Sequence, residues 1–61
     1  MAQIITVCYD KKQIWHNIEQ AISFFREAVM CSDGSERERY MNILMGLTDD
    51  GVVCYDDGSY D

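Results

Sequence analysis

The chain has few basic residues, since five lysines and arginines stand against eleven acidic residues and give a net charge of -6. Affinity for the phosphate backbone of DNA or RNA depends on cationic side chains that displace counterions. Direct binding to nucleic acid is therefore not expected. The last 13 residues contain five aspartates and no basic residue, so a basic protein surface is the partner that the charge favours.

Long apolar runs are absent as well. A helix needs about 20 apolar residues to span a bilayer, and no stretch approaches that length. No basic and then apolar leader typical of a signal peptide is visible, so we expect a soluble, cytoplasmic protein that binds no membrane. Proline is absent and 48% of the residues are hydrophobic, which indicates a folded domain. A domain of 61 residues has little room for a deep catalytic cleft.

Residues that carry chemistry are few. Cys8, Cys31 and Cys54 are odd in number and widely spaced, which favours reduced thiols over a disulfide framework. Together with His16, the only histidine, they lack the close paired spacing of structural zinc sites, so no metal or other cofactor is expected. The pattern places no nucleophile beside His16, and a glycine-rich phosphate loop is missing. We therefore expect that the protein is not an enzyme.

Among the residues that are present, the strongest pattern is an amphipathic helix predicted over residues 11–30. Its apolar stripe at helical spacing consists of Ile14, Ile18, Ala21, Phe25 and Ala28. Asp10 and Gln13 have the spacing of a capping box, which places the start of the helix near Lys11. Asn17 is an exception because it falls inside the apolar arc. Either it caps a neighbouring backbone group or that edge of the helix is exposed.

Three further elements complete the prediction. Residues 3–9 are rich in β-branched side chains and predict a first strand, and residues 52–55 predict a second strand. Ser35 and Glu38 form another capping box, which opens a helix predicted over residues 36–48.

The order strand, helix, helix, strand predicts a small α+β domain over residues 1–57. If each short connection reverses the chain, the two strands run antiparallel and pair directly, with the helical hairpin packed on one face of the ribbon. Two strands alone are marginally stable and leave free edges, so dimerisation is one way to complete the sheet. The polar and acidic residues 58–61 predict a flexible tail.

The overall profile, short, acidic and without catalytic residues, is similar to that of small proteins encoded by phages and mobile elements. Some of these proteins, including anti-CRISPR and anti-restriction inhibitors, occupy a nucleic-acid site on a host enzyme, and the resemblance implies such a role here. The function expected first is therefore a non-enzymatic protein-binding module that occludes a basic, nucleic-acid-binding surface. The residues predicted to bind this partner are Asp49, Asp50, Asp56, Asp57, Glu36, Glu38, Met41 and Met45.

Two alternatives stay open. One is a self-associating structural or adaptor protein, a homodimer whose negative surface only keeps it soluble and which inhibits nothing. The other is a metal-dependent or redox regulator that acts through its cysteines. Met41 and Met45 have two readings of their own, because methionines on the flank of a helix either fill gaps in the core or form an adaptable partner surface.

Overall fold

The computed structural model describes residues 3–61, which form an α+β fold with a three-stranded mixed sheet and two helices. The elements in chain order are β1 (Ile4–Cys8), β2 (Lys11–Trp15), α1 (Ile18–Cys31), α2 (Gly34–Thr48) and β3 (Val53–Tyr55). β1 lies in the centre of the sheet, between β2 and β3. No helix in the described part of the chain is long and apolar enough to cross a membrane.

A β-hairpin opens the fold where a helix was predicted. Tyr9 and Asp10 have φ angles of 52° and 63°, and a tight two-residue hairpin turn of type I′ needs left-handed backbone at both central positions. The chain therefore reverses after β1, and β2 pairs antiparallel with it from Cys8↔Lys11 to Ile4↔Trp15. The prediction that the first helix begins near residue 11 is wrong.

The first helix begins instead at Ile18, and Asn17 explains why. The Asn17 side-chain oxygen accepts from the Glu19 backbone N–H at 2.8 Å, so Asn17 is the N-cap residue. Just before it, the Trp15 ring nitrogen donates to the Thr6 hydroxyl at 3.0 Å, which secures the end of β2 against β1. Of the two readings of Asn17, capping is confirmed. The predicted end of the helix is confirmed to within one residue.

The additional strand also changes the direction of β3. Because β2 adds one reversal of the chain, β3 runs in the same direction as β1, and the two pair in parallel with Ile5 opposite Val53 and Val7 opposite Tyr55. The predicted antiparallel ribbon of first and last strands is therefore wrong, although both strands lie where expected and are neighbours. The order of elements is strand, strand, helix, helix, strand.

Both helices pack on one face of the sheet. The core between them consists of Ala21, Phe25, Ile43, Leu47 and Cys54, each at most 2% exposed. α2 begins two residues earlier than predicted and is preceded by Asp33, so Ser35 is not its N-cap. Gly46 lets α2 approach β3 closely, because a Cβ at Gly46 would lie 3.1 Å from Cys54 Sγ.

Residues 58–61, predicted as a flexible tail, return along the outer edge of β3. The Tyr55 backbone N–H donates to Ser59 at 2.9 Å and the Asp61 backbone N–H donates to Val53 at 2.8 Å. Tyr60 forms an antiparallel bridge with Cys54. The prediction missed this pairing because backbone hydrogen bonds can hold a polar segment that has almost no apolar side chains.

Candidate functional site

The outer face of α2 carries four of the residues predicted to bind a partner. Ile43 and Leu47 are buried on the inner face, and residues three or four apart share a face of a helix. The opposite face carries Glu38, Met41, Met45 and Asp49. Met45 is 61% exposed, whereas Met41 is half-buried. An apolar, flexible side chain thus stands in solvent between two carboxylates.

The segment after β3 lies against one flank of α2. Asn42 Nδ2 donates to the backbone oxygen of Asp56 at 3.1 Å. The Tyr60 hydroxyl donates to the Asp49 carboxylate. These two bonds fix the segment along the helix and hold Tyr60, which is 47% exposed, beside the outer face.

Two adjoining pockets open where the segment meets the helix, and Asn42 lines both. The larger has a volume of 420 Å³, and its wall includes Met45, Asp49 and Tyr60. The smaller has a volume of 260 Å³ and is lined also by Ser35, Glu38, Arg39, Asp56 and Asp57. The acidic surface is defined here as Glu38, Asn42, Met45, Asp49, Asp57 and Tyr60.

The carboxylates of the acidic surface form no ion pair within residues 3–61. Within residues 3–61 the only ion pair joins Arg39 Nη1 to Asp56 Oδ2 at 2.8 Å. The Ser59 backbone N–H donates to Asp57 Oδ1 at 2.9 Å, and this bond lowers the pKa of the Asp57 carboxyl. Three carboxylates remain available to a cationic partner, those of Glu38, Asp49 and Asp57.

The other predicted residues have different positions. Glu36 lies towards the inner side of α2, where its carboxylate accepts from the Tyr40 hydroxyl at 3.2 Å. Asp50 is exposed in the turn after α2, with a φ angle of 64°. Asp56 is paired with Arg39 and its side chain is only 17% exposed, so it holds the fold together more than it faces solvent.

Two residues of the acidic surface were not among the predicted ones. Asn42 lies three residues before Met45 and four after Glu38, so helical spacing could have identified it. Tyr60 was assigned to the tail, and no spacing rule relates it to α2. Its position depends on the pairing of Tyr60 with Cys54.

An apolar groove lies between the hairpin and the helices. It has a volume of 540 Å³, and its walls include Cys8, Lys11, Phe24 and Tyr40. Burial, followed by the nearby Asp56 carboxylate, raises the pKa of the Cys8 thiol. A thiol with a raised pKa is less ionised, and therefore less nucleophilic, at neutral pH.

The three cysteines are separate, free thiols. Cys54 is opposite Thr6 in the parallel pair, so its Cα lies about 8 Å from that of Cys8, beyond the reach of a disulfide. Among residues 3–61 no three histidine, cysteine or acidic side chains converge on a point that could hold a metal ion.

Comparison of the chain with protein-family models, with curated proteins and with solved structures finds no match.

Proposed function

We propose that this protein is a non-enzymatic binding module whose acidic surface docks on a basic surface of a partner protein. The observation that carries the proposal is the position of Met45 and Tyr60. Both are about half exposed or more, and both line the pocket that contains Asp49, next to the pocket that Glu38 and Asp57 line. An exposed apolar anchor with polar and charged groups at its rim is typical of a protein-binding site.

The two components of the acidic surface have different roles in binding. The carboxylates accelerate association with a cationic partner and make it sensitive to salt. Met45 and Tyr60 slow dissociation, because burying an adaptable thioether and an aromatic ring removes apolar area from water. The pockets beside Asn42 accept side chains of the partner.

The partner proposed is a protein that binds DNA or RNA. Basic surfaces with uncompensated charge are typical of proteins that bind phosphate groups. The carboxylates of Glu38, Asp49 and Asp57 present to such a surface the negative charge that a phosphate backbone would present. Docking of the acidic surface therefore excludes the nucleic acid, which is the mode of action of the small inhibitors that this chain resembles in composition.

The first test uses a defined probe, a short arginine-rich peptide with one central leucine, in an NMR titration of the 15N-labelled protein. We expect shift changes at the amides around Met45, Asp49 and Tyr60, and weaker binding as salt rises. Met45→Lys should weaken binding about fivefold or more. Met30→Lys is the matched control, since Met30 is 80% exposed on α1, outside the acidic surface. Shift changes elsewhere, or equal effects of both substitutions, would contradict the proposal.

The second test identifies the natural partner. Wild-type protein and the Met45→Lys and Met30→Lys variants serve as baits in a lysate of the source cell. The proposal expects a protein that wild type and Met30→Lys retain and Met45→Lys loses, and that DNA or RNA displaces. A partner that nucleic acid does not displace would support binding but reject inhibition by occlusion.

Self-association is the second candidate function, and the sheet favours it. The helices pack on one face only, and on the other face Ile14 and Tyr55 are 50% and 39% exposed. Exposed apolar side chains on a sheet face favour association with another surface. A mass that stays at 7.1 kDa in sedimentation equilibrium at high protein concentration would reject this candidate.

A further inference from the structure

The face of the sheet opposite the helices displays an ordered array of side chains. Thr6 and Cys54 are buried towards the helices, and side chains alternate between the two faces of a strand. Cross-strand partners share a face, so the strand pairing places two rows on the opposite side. One row is Ile14, Ile5, Val53 and Asp61, and the other is Lys12, Val7, Tyr55 and Ser59. These eight residues are called the open face.

The centre of the open face is apolar. Ile5, Val7 and Val53 are half-buried by their neighbours within the sheet, and Ile14 and Tyr55 are more exposed. The core does not require these five side chains to be apolar, since the helices cover the other side of the sheet. Their presence in two adjoining rows indicates a surface that is buried in an assembly.

The charges on the open face lie at its opposite edges. Lys12 is on β2, at one edge of the sheet. Asp61 pairs with Val53 at the other edge. The face therefore has a basic edge, an apolar centre and an acidic edge, and a second copy of the same face is complementary to it in one orientation.

We propose that a second copy of the chain covers the open face, with the two-fold axis parallel to the strands. This axis places β2 of each copy over the β3 edge of the other. Lys12 then lies across from Tyr55 and Ser59, one pleat repeat or about 7 Å from Asp61, within the span of the flexible lysine side chain. A two-fold axis perpendicular to the strands would instead place the β2 edge of each copy over the β2 edge of the other, with Lys12 near Lys12 and Asp61 near Asp61.

The dimer has the layers helix, sheet, sheet, helix. Two sheets that pack face to face keep their strands within about 30° of each other, which suits this axis. The acidic surface remains accessible, because it lies on α2 and where the segment after β3 meets α2, on the helix side of the sheet. The interface rests on the proposed self-association and not on the acidic surface. Because each copy carries one acidic surface, the dimer carries two and is bivalent towards basic partners.

The dimer is expected to be reversible. Four adjacent chain segments at about 4.8 Å spacing span only about 19 Å. A face of this width buries an area at or below the lower limit of stable interfaces, which is roughly 600 Å² per partner. Monomer and dimer should therefore coexist at micromolar concentrations.

The first experiment measures the monomer–dimer constant by sedimentation velocity at low salt. Ile14→Asp should weaken the dimer by about tenfold or more, because it places a carboxylate inside the interface and across from the edge that carries Asp61 of the other copy. Met30→Asp on α1 should leave it unchanged. Both sites are at least half exposed, so both variants should keep the circular dichroism of wild type. A wild-type monomer would reject self-association itself, and equal effects of the two variants would reject the open face as its interface.

The second experiment tests the orientation by exchanging charges. Lys12→Glu and Asp61→Lys should each weaken the dimer roughly three- to tenfold, since each turns two attractive pairs into repulsive ones. The double variant restores opposite charges and should recover the wild-type constant. A dimer that forms but does not recover in the double variant would overturn the proposed axis. A dimer that pairs through the free edge of β2 would also fail to recover in the double variant, but Ile14→Asp would then leave the dimer unchanged.

Discussion

Arg39 Nη1 lies 2.8 Å from Asp56 Oδ2, and the same oxygen accepts from the Tyr9 backbone N–H at 3.1 Å. The Arg39 guanidinium also lies over the Tyr9 ring, 4.8 Å from its centroid. One carboxylate therefore connects α2, the turn of the hairpin and the end of β3. Hydrogen bonding to Asp56 raises the pKa of Arg39 further above its usual range.

We expect Asp56→Ala to lower the free energy of unfolding by about 1–2 kcal/mol, because an exposed ion pair contributes at most about 1 kcal/mol and the bond to Tyr9 adds a similar amount. Urea unfolding, followed by the fluorescence of Trp15, measures the loss. Glu27→Ala, on the exposed side of α1, is the control and should change stability by less than about 0.5 kcal/mol. Equal losses in the two variants would show that Asp56 does not connect these elements.

Thr6→Val should lower the free energy of unfolding by about 1–3 kcal/mol, the cost of leaving a partly buried donor, Trp15 Nε1, without its partner. Thr6 is 1% exposed, and its hydroxyl accepts from Trp15 Nε1 at 3.0 Å. Valine keeps the shape of threonine, so the loss reports the hydrogen bond. Thr48→Val serves as the control, because the Thr48 hydroxyl is exposed and bonds only to the Met45 carbonyl. An unchanged stability of Thr6→Val would mean that the ring nitrogen reaches water or another acceptor.

The sequence predicted the regular elements with strong periodicity and missed the hairpin. Residues 18–31 follow their apolar periodicity closely, and the second helix buries Ile43, Gly46 and Leu47 at helical spacing. Ile14 and Trp15 fit the same helical stripe, however, and residues 11–15 have no alternation that marks a strand. The turn was equally hard to recognise, since Tyr9 and Asp10 adopt left-handed φ without the glycine or asparagine that usually signals it. The indication available was Asn17, a polar residue in the apolar arc.

The acidic surface was predictable where it lies on one helix. Glu38, Met45 and Asp49 share a face by spacing alone, and acids near them suggested a cationic partner. The contribution of Tyr60 depends on a non-local bridge to Cys54, and local pattern carries no information on such pairing. The open face was missed for the same reason, because its rows depend on the register of three strands.

Cys31 is expected to be the one thiol that reacts rapidly with Ellman's reagent in the native protein. It is exposed on α1, whereas Cys54 is fully buried and burial raises the pKa of its thiol. Modification of Cys54 requires the structure to open, which should make it slower by roughly 100-fold or more. Cys31→Ser should therefore remove the rapid phase. A rapid phase that persists in this variant would place a second thiol within reach of solvent.

Tyr60 should ionise at higher pH than an ordinary tyrosine. Its hydroxyl donates to the Asp49 carboxylate, and this bond, followed by the repulsion between that carboxylate and a phenolate, raises the pKa of Tyr60 above 10.0. A group whose pKa is raised on folding contributes its full stabilisation of the folded state at pH values below its pKa in the unfolded chain. The stabilisation is lost as the pH rises through the higher pKa of the folded chain. The bond that holds residues 58–61 against α2 should thus be intact at neutral pH and break only in alkali.

The difference between the tyrosinate absorbance titrations of wild type and Tyr60→Phe isolates this group. We expect the difference curve to have its midpoint above pH 10 and to show no change near neutral pH. Asp49→Asn is the matched variant, because it keeps an oxygen acceptor and removes the charge, and it should move the midpoint back towards the ordinary value. A wild-type midpoint at or below that value would mean that Tyr60 is not bonded to Asp49, and the acidic surface would then lose the contact that fixes its aromatic anchor.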